Sequence, residues 1–433
     1  MSFLDWLKSL FRPKPATRIV AGLSAADTSA DAAKVREVVD TSGGPLKPGH
    51  CRRALRDSRL LPKPKPKSQG YVWPRPPKPK YLDRSEADRL FSTTLRCRDR
   101  NLRDLLPDPE QLDRYGLPLW QTEADLAEAL GISVGMLRHY SLHRIRETTP
   151  HYVTFAIPKR SGGERLIHAP KRRLKAIQRR LHELLVSRLP VSAAAHGFRS
   201  GRSVATNAHP HINKAVLIKL DLKDCFPSIH FGRVRGLLVA LGYGYQVATV
   251  LAVLMTEPPR QPVEIDGKLV YVPVGPRSCV QGAPTSPGLC NAVLLRLDRR
   301  LAGLARKYGF AYTRYADDLT FSGDDTAKIK LMITLSSKIV REEGFSLNRQ
   351  KTRVLRRSRR QTVAGVVVNS TVGLSRRDRR RLRAEIHQLS QAAKPPDSHR
   401  VQRLAGKLAY LHMLNADQAA PLLVQFARLG DGS

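Results

Sequence analysis

Three aspartates carry the chemistry this sequence offers. Asp317 and Asp318 stand side by side in YTRYADDLTFSG (312–323), among aromatic and apolar neighbours, in a chain with 75 Lys and Arg against 37 Asp and Glu. Adjacent carboxylates repel, and burial raises the pKa of each unless a cation sits close by. An Asp-Asp pair is also ordinary turn material. Asp221, the third, follows the apolar run AVLIKL (215–220). A strand ending in a carboxylate, and a hairpin tipped by two more, converge if both lie in one sheet. Three carboxylates at one point suit Mg2+, which takes oxygen ligands and substrate phosphates. Two such ions about 4 Å apart can activate a hydroxyl and stabilise the leaving oxygen of an in-line phosphoryl transfer. The spacing of 221 and 317 does not by itself establish convergence.

The elements that must position these residues follow from periodicity. HYVTFAIPKRSGGERLIHAP (151–170) alternates as two strands joined at Ser161-Gly162-Gly163, and RRLKAIQRRLHELLVSRL (172–189) reads as an amphipathic helix with a basic outer face. KAVLIKLDLKDCF (214–226) is a β-rich run, and helices are expected over 231–242 and 287–309. AYTRYADDLTFSG (311–323) reads as strand, tight turn, strand. Upstream, TEADLAEALGISVGMLRHY (122–140) reads as two helices about Gly131, with Leu126, Ala127, Leu130, Ile132 and Leu137 at core spacing. This is a packing unit far more often than a DNA reader. Helices near 375–392, 398–413 and 416–429 close the chain. The pattern predicts an α+β centre with a helical C-terminal lobe. The expected divisions are 1–81, a basic and largely disordered extension; 82–150, helical; 151–372, the α+β centre; and 373–433, helical.

Composition narrows the partners. A net charge of +38 over 433 residues favours a polyanion, through phosphate neutralisation and counterion release. Five cysteines without a CxxC pair argue against a zinc site or a disulfide framework and fit a reducing cytoplasm. No apolar run approaches the roughly 20 residues that span a bilayer, so no stable membrane association is expected. MSFLDWLKSLFRPKP (1–15) has the spacing of an amphipathic helical turn, open to docking on a protein or to weak membrane contact. PKPKPKSQGYVWPRPPKPK (62–80) favours extended conformers reaching about 60 Å at roughly 3.1 Å per residue, either a nucleic-acid arm or a solubilising linker.

From about 151 to 369 the chain resembles the reverse transcriptases, block after block and in order: IPKRSGGERLI, LKAIQRRL, LDLKDCFPSI, SCVQGAPTSPGLCNAVL, YADD and GFSLNRQKTRVL. The resemblance implies a right-hand polymerase with fingers and palm over 151–372 and a thumb over 373–433. It implies that Asp221, Asp317 and Asp318, with the backbone carbonyl of Leu222, hold two Mg2+ ions, with Mn2+ as a possible substitute. Lys159 and Arg165 would grip the dNTP triphosphate, Gln281 and Gly282 would line the nucleotide and template pocket, and Lys351 would protonate the leaving pyrophosphate. Phe226, five residues beyond Asp221, would crowd a 2′-hydroxyl and so favour dNTPs.

Within that family the chain looks most like the retron enzymes. NAHPH (207–211) matches their Asn-Ala-x-x-His pattern through Asn207, Ala208 and His211, and Asn207 and His211 are the expected RNA-binding residues. Val363-Ala364-Gly365 stands where retron enzymes carry Val-Thr-Gly, a departure in the middle residue. The resemblance implies a structured noncoding RNA as template and primer, and a small branched RNA-linked DNA as product. It also implies an antiphage role with a separate effector protein. The alternatives are a group II intron-like enzyme, a template-independent defence polymerase, or an RNA-binding scaffold without synthesis.

Overall fold

The computed structural model describes residues 106–142, 149–159, 162–265, 267–391 and 397–428. The amphipathic start, the Pro-Lys stretch and residues 82–105 of the expected helical region lie outside these, as do Cys51 and Cys97.

Three short helices come first: α1 (Pro109–Arg114), α2 (Glu123–Leu130) and α3 (Val134–Ser141). Thr122 and Asp125 form a reciprocal capping box at the start of α2, and Gly131 ends it at φ +67. The side chains of Leu126, Ala127, Leu130 and Leu137 are buried in the main core, so this helix pair is a packing unit. Strands β1 (Tyr152–Pro158) and β2 (Glu164–Pro170) pair as an antiparallel hairpin, followed by α4 (Arg172–Leu184). Leu174, Ile177, Gln178 and Leu181 form the buried stripe of α4, and Gln178 donates to the Tyr152 hydroxyl (2.7 Å) and the Leu254 carbonyl (2.8 Å).

After the one-and-a-half-turn α5 (Val204–Ala208) comes β3 (Val216–Asp221), then α6 (Phe231–Ala240) and α7 (Tyr245–Met255). The α7 segment is apolar almost all round and correspondingly buried. Strands β4 (Arg260–Ile265) and β5 (Lys268–Pro273) make a second hairpin. The single helix expected over 287–309 is two, α8 (Ser286–Val293) and α9 (Leu295–Lys307), broken at Leu294. The break lets α8 bury nearly every side chain while α9 keeps a basic outer face.

Strands β6 (Ala311–Tyr315) and β7 (Asp318–Gly323) lead to α10 (Ile329–Glu342) and β8 (Arg353–Arg356). The central sheet has the order β6-β7-β3-β8, antiparallel throughout; residues such as Ile218, Leu319 and Phe321 join the main core, and Leu217 joins a smaller cluster with Ala208 and Val363. The hairpin β9 (Thr362–Val363) and β10 (Val366–Val367) turns through Ala364 (φ +46) and Gly365 (φ +86). Positive φ at both central residues is the tight hairpin geometry, so the alanine leaves the turn intact. The chain closes with α11 (Arg376–Ser390), α12 (Ser398–Leu414) and α13 (Ala416–Ala427), which share a separate apolar core of residues such as Leu382, Leu404, Leu408 and Phe426. No described helix is long and apolar enough to cross a membrane.

Candidate active site

The sheet register answers whether the aspartates converge. Asp221, the last residue of β3, pairs directly with Asp318, the first of β7. Residues directly opposite in an antiparallel pair share a face, so the two carboxylates rise from one end of one sheet. Asp317 sits in the two-residue turn before β7, and its carbonyl accepts from the Leu222 amide at 2.9 Å. The turn residue Ala316 has φ +56, left-handed and unusual for a residue with a β-carbon.

A third segment completes the site. The amides of Lys223 and Asn348 donate to the carbonyls of Ser346 (2.8 Å) and Asp221 (2.8 Å), laying residues 346–351 along the end of β3. That docking delivers Lys351, whose Nζ donates to both carboxylate oxygens of Asp221 at 2.9 and 3.1 Å. The hydrogen bond and charge of Asp221 hold the Lys351 ammonium above its ordinary pKa, so it keeps its proton at neutral pH. Burial pushes the Asp317 and Asp318 carboxyls above the carboxylate range, and the charge of Asp221 adds to both. The ammoniums of Lys351 and Lys219 thus act on the three clustered carboxylates, and the carboxyls of Asp317 and Asp318 are still held above their ordinary value.

This donor set fits divalent metal, which reverse transcriptases use. The carboxylates and adjacent carbonyls are hard oxygen donors, the ligand type that hard divalent cations select. Among the described residues, no group of three or more His, Cys, Asp or Glu side chains is placed to hold a metal ion as it stands.

The other expected residues have the following surroundings. Lys159 and Arg165 are exposed near the tip of the β1–β2 hairpin, where the Lys159 amide bonds the Gly163 carbonyl at 2.9 Å. Gln281 is tied to that hairpin, its carbonyl accepting from the His168 amide at 2.7 Å. Gly282 has φ +116, and a β-carbon there would lie 2.7 Å from the His168 carbonyl oxygen. The close approach that requires this glycine is thus to the hairpin backbone. Phe226 is half-buried against the main core.

Asn207 and His211 stand differently from expectation. His211 has no exposed surface, and its ring nitrogens bond the hydroxyls of Ser322 (2.7 Å) and Thr313 (2.8 Å) on the central sheet. Asn207 is also buried, and its carbonyl accepts from Thr313 Oγ at 3.3 Å. Direct RNA contact by either side chain is therefore corrected to an internal role, bracing the back of β6 and β7.

Sequence reasoning missed Arg314. It lies fully buried two residues before the turn, paired with the equally buried Asp298 of α9 through Nε and Nη2, both at 2.8 Å. In so basic a chain an arginine reads as surface. The available signal was its place inside an apolar strand opposite an aspartate in LRLDRRL (295–301).

Comparison with known proteins places this geometry. The reverse transcriptase (RNA-dependent DNA polymerase) family profile matches residues 157–370, which include every residue of the site. The retron Mx65 reverse transcriptase of Myxococcus xanthus is 61% identical over 97% of this chain and 96% of its own length. The chain belongs to the retron reverse transcriptases. A second relative from the same organism, the retron Mx162 reverse transcriptase, is 42% identical over 74% of this chain and 69% of its own length. The retron Ec86 reverse transcriptase of Escherichia coli is 29% identical over 74% of this chain and 92% of its own. This retron reverse transcriptase is thus an RNA-directed DNA polymerase of α+β fold, with nucleic acid as its partner. An open groove of about 840 Å³ lined by Arg360, Arg376, Arg377, Arg379, Arg380 and Arg381 adds a basic surface at the start of α11.

Proposed function

We propose that this enzyme copies part of a structured noncoding RNA into a short single-stranded DNA that remains branched from it. Synthesis would start from the 2′-hydroxyl of an internal guanosine, and the hybrid would serve an antiphage system with a separate effector protein. The observation that carries the chemistry is the pairing of Asp221 with Asp318 beside Asp317 and Lys351. Full-length similarity to a retron enzyme supports the choice of template.

Two Mg2+ ions, with Mn2+ as the substitute, would be held by Asp221, Asp317, Asp318 and the Leu222 carbonyl, and when bound would supply the charge for phosphoryl transfer. Lys159 and Arg165 bind the triphosphate of the incoming dNTP as fixed cations. Gln281 and Gly282 join the nucleotide pocket to the hairpin, so the two move as one unit. Phe226 presents a ring to the sugar and cannot accept or donate a hydrogen bond, which disfavours a 2′-hydroxyl. Lys351 holds a proton at Nζ and delivers it to the leaving pyrophosphate. We read 151–372 as fingers and palm and 373–433 as the thumb, with the arginines of α11 following the phosphates of a duplex.

The test is nucleic acid extracted from cells carrying the gene with its native flanks, run on a denaturing gel before and after RNase and debranching treatment. A discrete short DNA whose mobility shifts under both, absent from Asp317→Ala/Asp318→Ala, is the expected result. Absence of such DNA from a protein that still extends a primer on RNA would overturn the branched product.

A further inference from the structure

The two aspartates at the turn depend on backbone that does not hold itself. Ala316 occupies left-handed space, which an alanine leaves readily unless its surroundings fix it. Those surroundings are built from buried polar groups. Arg314 Nη1 donates to the Ala316 carbonyl at 3.0 Å and to Asn291 Oδ1 at 2.9 Å. The same guanidinium is locked by its two bonds to Asp298, whose Oδ1 also accepts from the Tyr312 hydroxyl at 2.8 Å. Asn291 in turn donates from Nδ2 to the Gly197 carbonyl at 2.8 Å. Gly197 lies directly on the turn, since a β-carbon there would stand 2.8 Å from the Ala316 amide nitrogen. The strand backbone closes the frame: the Arg314 amide donates to the Ala194 carbonyl, and the Arg314 carbonyl accepts from the His196 amide at 2.9 Å.

We infer that Arg314, Asn291 and Asp298 form a clamp that holds Ala316 in its left-handed conformation and thereby sets the position of Asp317 and Asp318. All three side chains are at least 98% buried, and none is exposed to substrate, so they are positioning residues. One guanidinium gathers the turn carbonyl, α8 through Asn291 and α9 through Asp298. A lysine has no planar fork and cannot make these contacts together. The inference rests on the reading that Asp317 and Asp318 are catalytic.

The full-length enzyme tests it by steady-state dNTP incorporation on an RNA template and primer. Asn291→Ala removes one arm of the clamp and leaves the Arg314–Asp298 pair in place. It is expected to lower kcat by about tenfold to a hundredfold, the effect of a misplacement on the order of 1 Å, with KM for dNTP within about threefold. Glycine adopts positive φ without a clamp, so in the Ala316→Gly background the same change should cost kcat less than about threefold. Arg314→Lys should show the kcat loss despite keeping the charge, and Ala316→Gly should recover part of it. Multiplying losses in Asn291→Ala/Ala316→Gly, or equal rises in KM and falls in kcat, would overturn the clamp. Asp317→Asn serves as the separate control. If it still polymerises, the catalytic reading fails and the inference falls with it. If it is inactive while the Asn291 and Ala316 changes act independently, the clamp alone is wrong.

Discussion

Gly282→Ala perturbs a close contact between the Gln281–Gly282 segment and the β1–β2 hairpin. The added methyl would sit 2.7 Å from the His168 carbonyl oxygen and 3.0 Å from Ile167 Cγ2, on a backbone already at φ +116. Leaving that conformation, or enduring it, costs about 1–3 kcal/mol. Pushing β2 away also strains the 2.7 Å bond from the His168 amide to the Gln281 carbonyl, whose net worth is about 1 kcal/mol. The sum, about 2–4 kcal/mol, is a large part of a typical stability of about 5–15 kcal/mol but leaves the protein folded. At about 1 °C per kcal/mol for a chain of 433 residues, Tm should fall by about 2–4 °C. The hairpin carrying Lys159 and Arg165 would be loosened against the site, so KM for dNTP should rise about tenfold, equivalent to about 1.4 kcal/mol, with kcat changed less. Differential scanning fluorimetry and steady-state incorporation read both effects. Gly303→Ala is the control, because it lies in α9 with nothing within 4 Å of the added carbon. There alanine should be neutral or stabilising by up to about 1 kcal/mol. A Gly282→Ala enzyme with unchanged Tm and KM would refute the reasoning that couples pocket to hairpin.

Three further outcomes follow from the same geometry. Asp318→Asn removes one of the clustered, half-buried charges, so without divalent metal its Tm should exceed wild type while incorporation is lost; a lower Tm would contradict the account. Burial and the neighbouring His196 push the His211 pKa down to about 3, and burial with Arg202 and Arg199 pushes His196 down to about 4. Both stay neutral in the folded state, so the stability they contribute is complete above their ordinary value of 6.5 and is lost as pH falls toward 4 and 3. The slope is up to about 1.4 kcal/mol per pH unit for each, and urea midpoints of His211→Gln between pH 4 and 7 should show a shallower slope than wild type. Phe226→Ala should admit rNTPs, and an unchanged dNTP preference in competition assays would remove Phe226 from sugar selection.

How much of this was legible in the sequence depended on the range of each interaction. The β1–β2 hairpin, the 311–323 hairpin and the three final helices announce themselves through local periodicity and turn residues, and they form where expected. The break at Leu294 has no local signal, because neither proline nor glycine stands at the junction of Val293, Leu294 and Leu295. Convergence of Asp221 on Asp318 needed the strand order β7-β3, a pairing across 97 positions that no local rule supplies. Arg314 and His211 were misread or missed for one reason. A polar residue buried with all its partners in place looks, in sequence, like one at the surface, and those partners lie as many as 111 positions away.

The most direct test is dNTP incorporation by the purified full-length protein on an RNA template and primer, with and without Mg2+, beside Asp317→Ala/Asp318→Ala. RNA binding is measured on the same preparations. The account predicts DNA synthesis by wild type only when divalent metal is present, and none by the double variant although it still binds the RNA. Synthesis by the double variant, or by wild type in excess chelator, would contradict it.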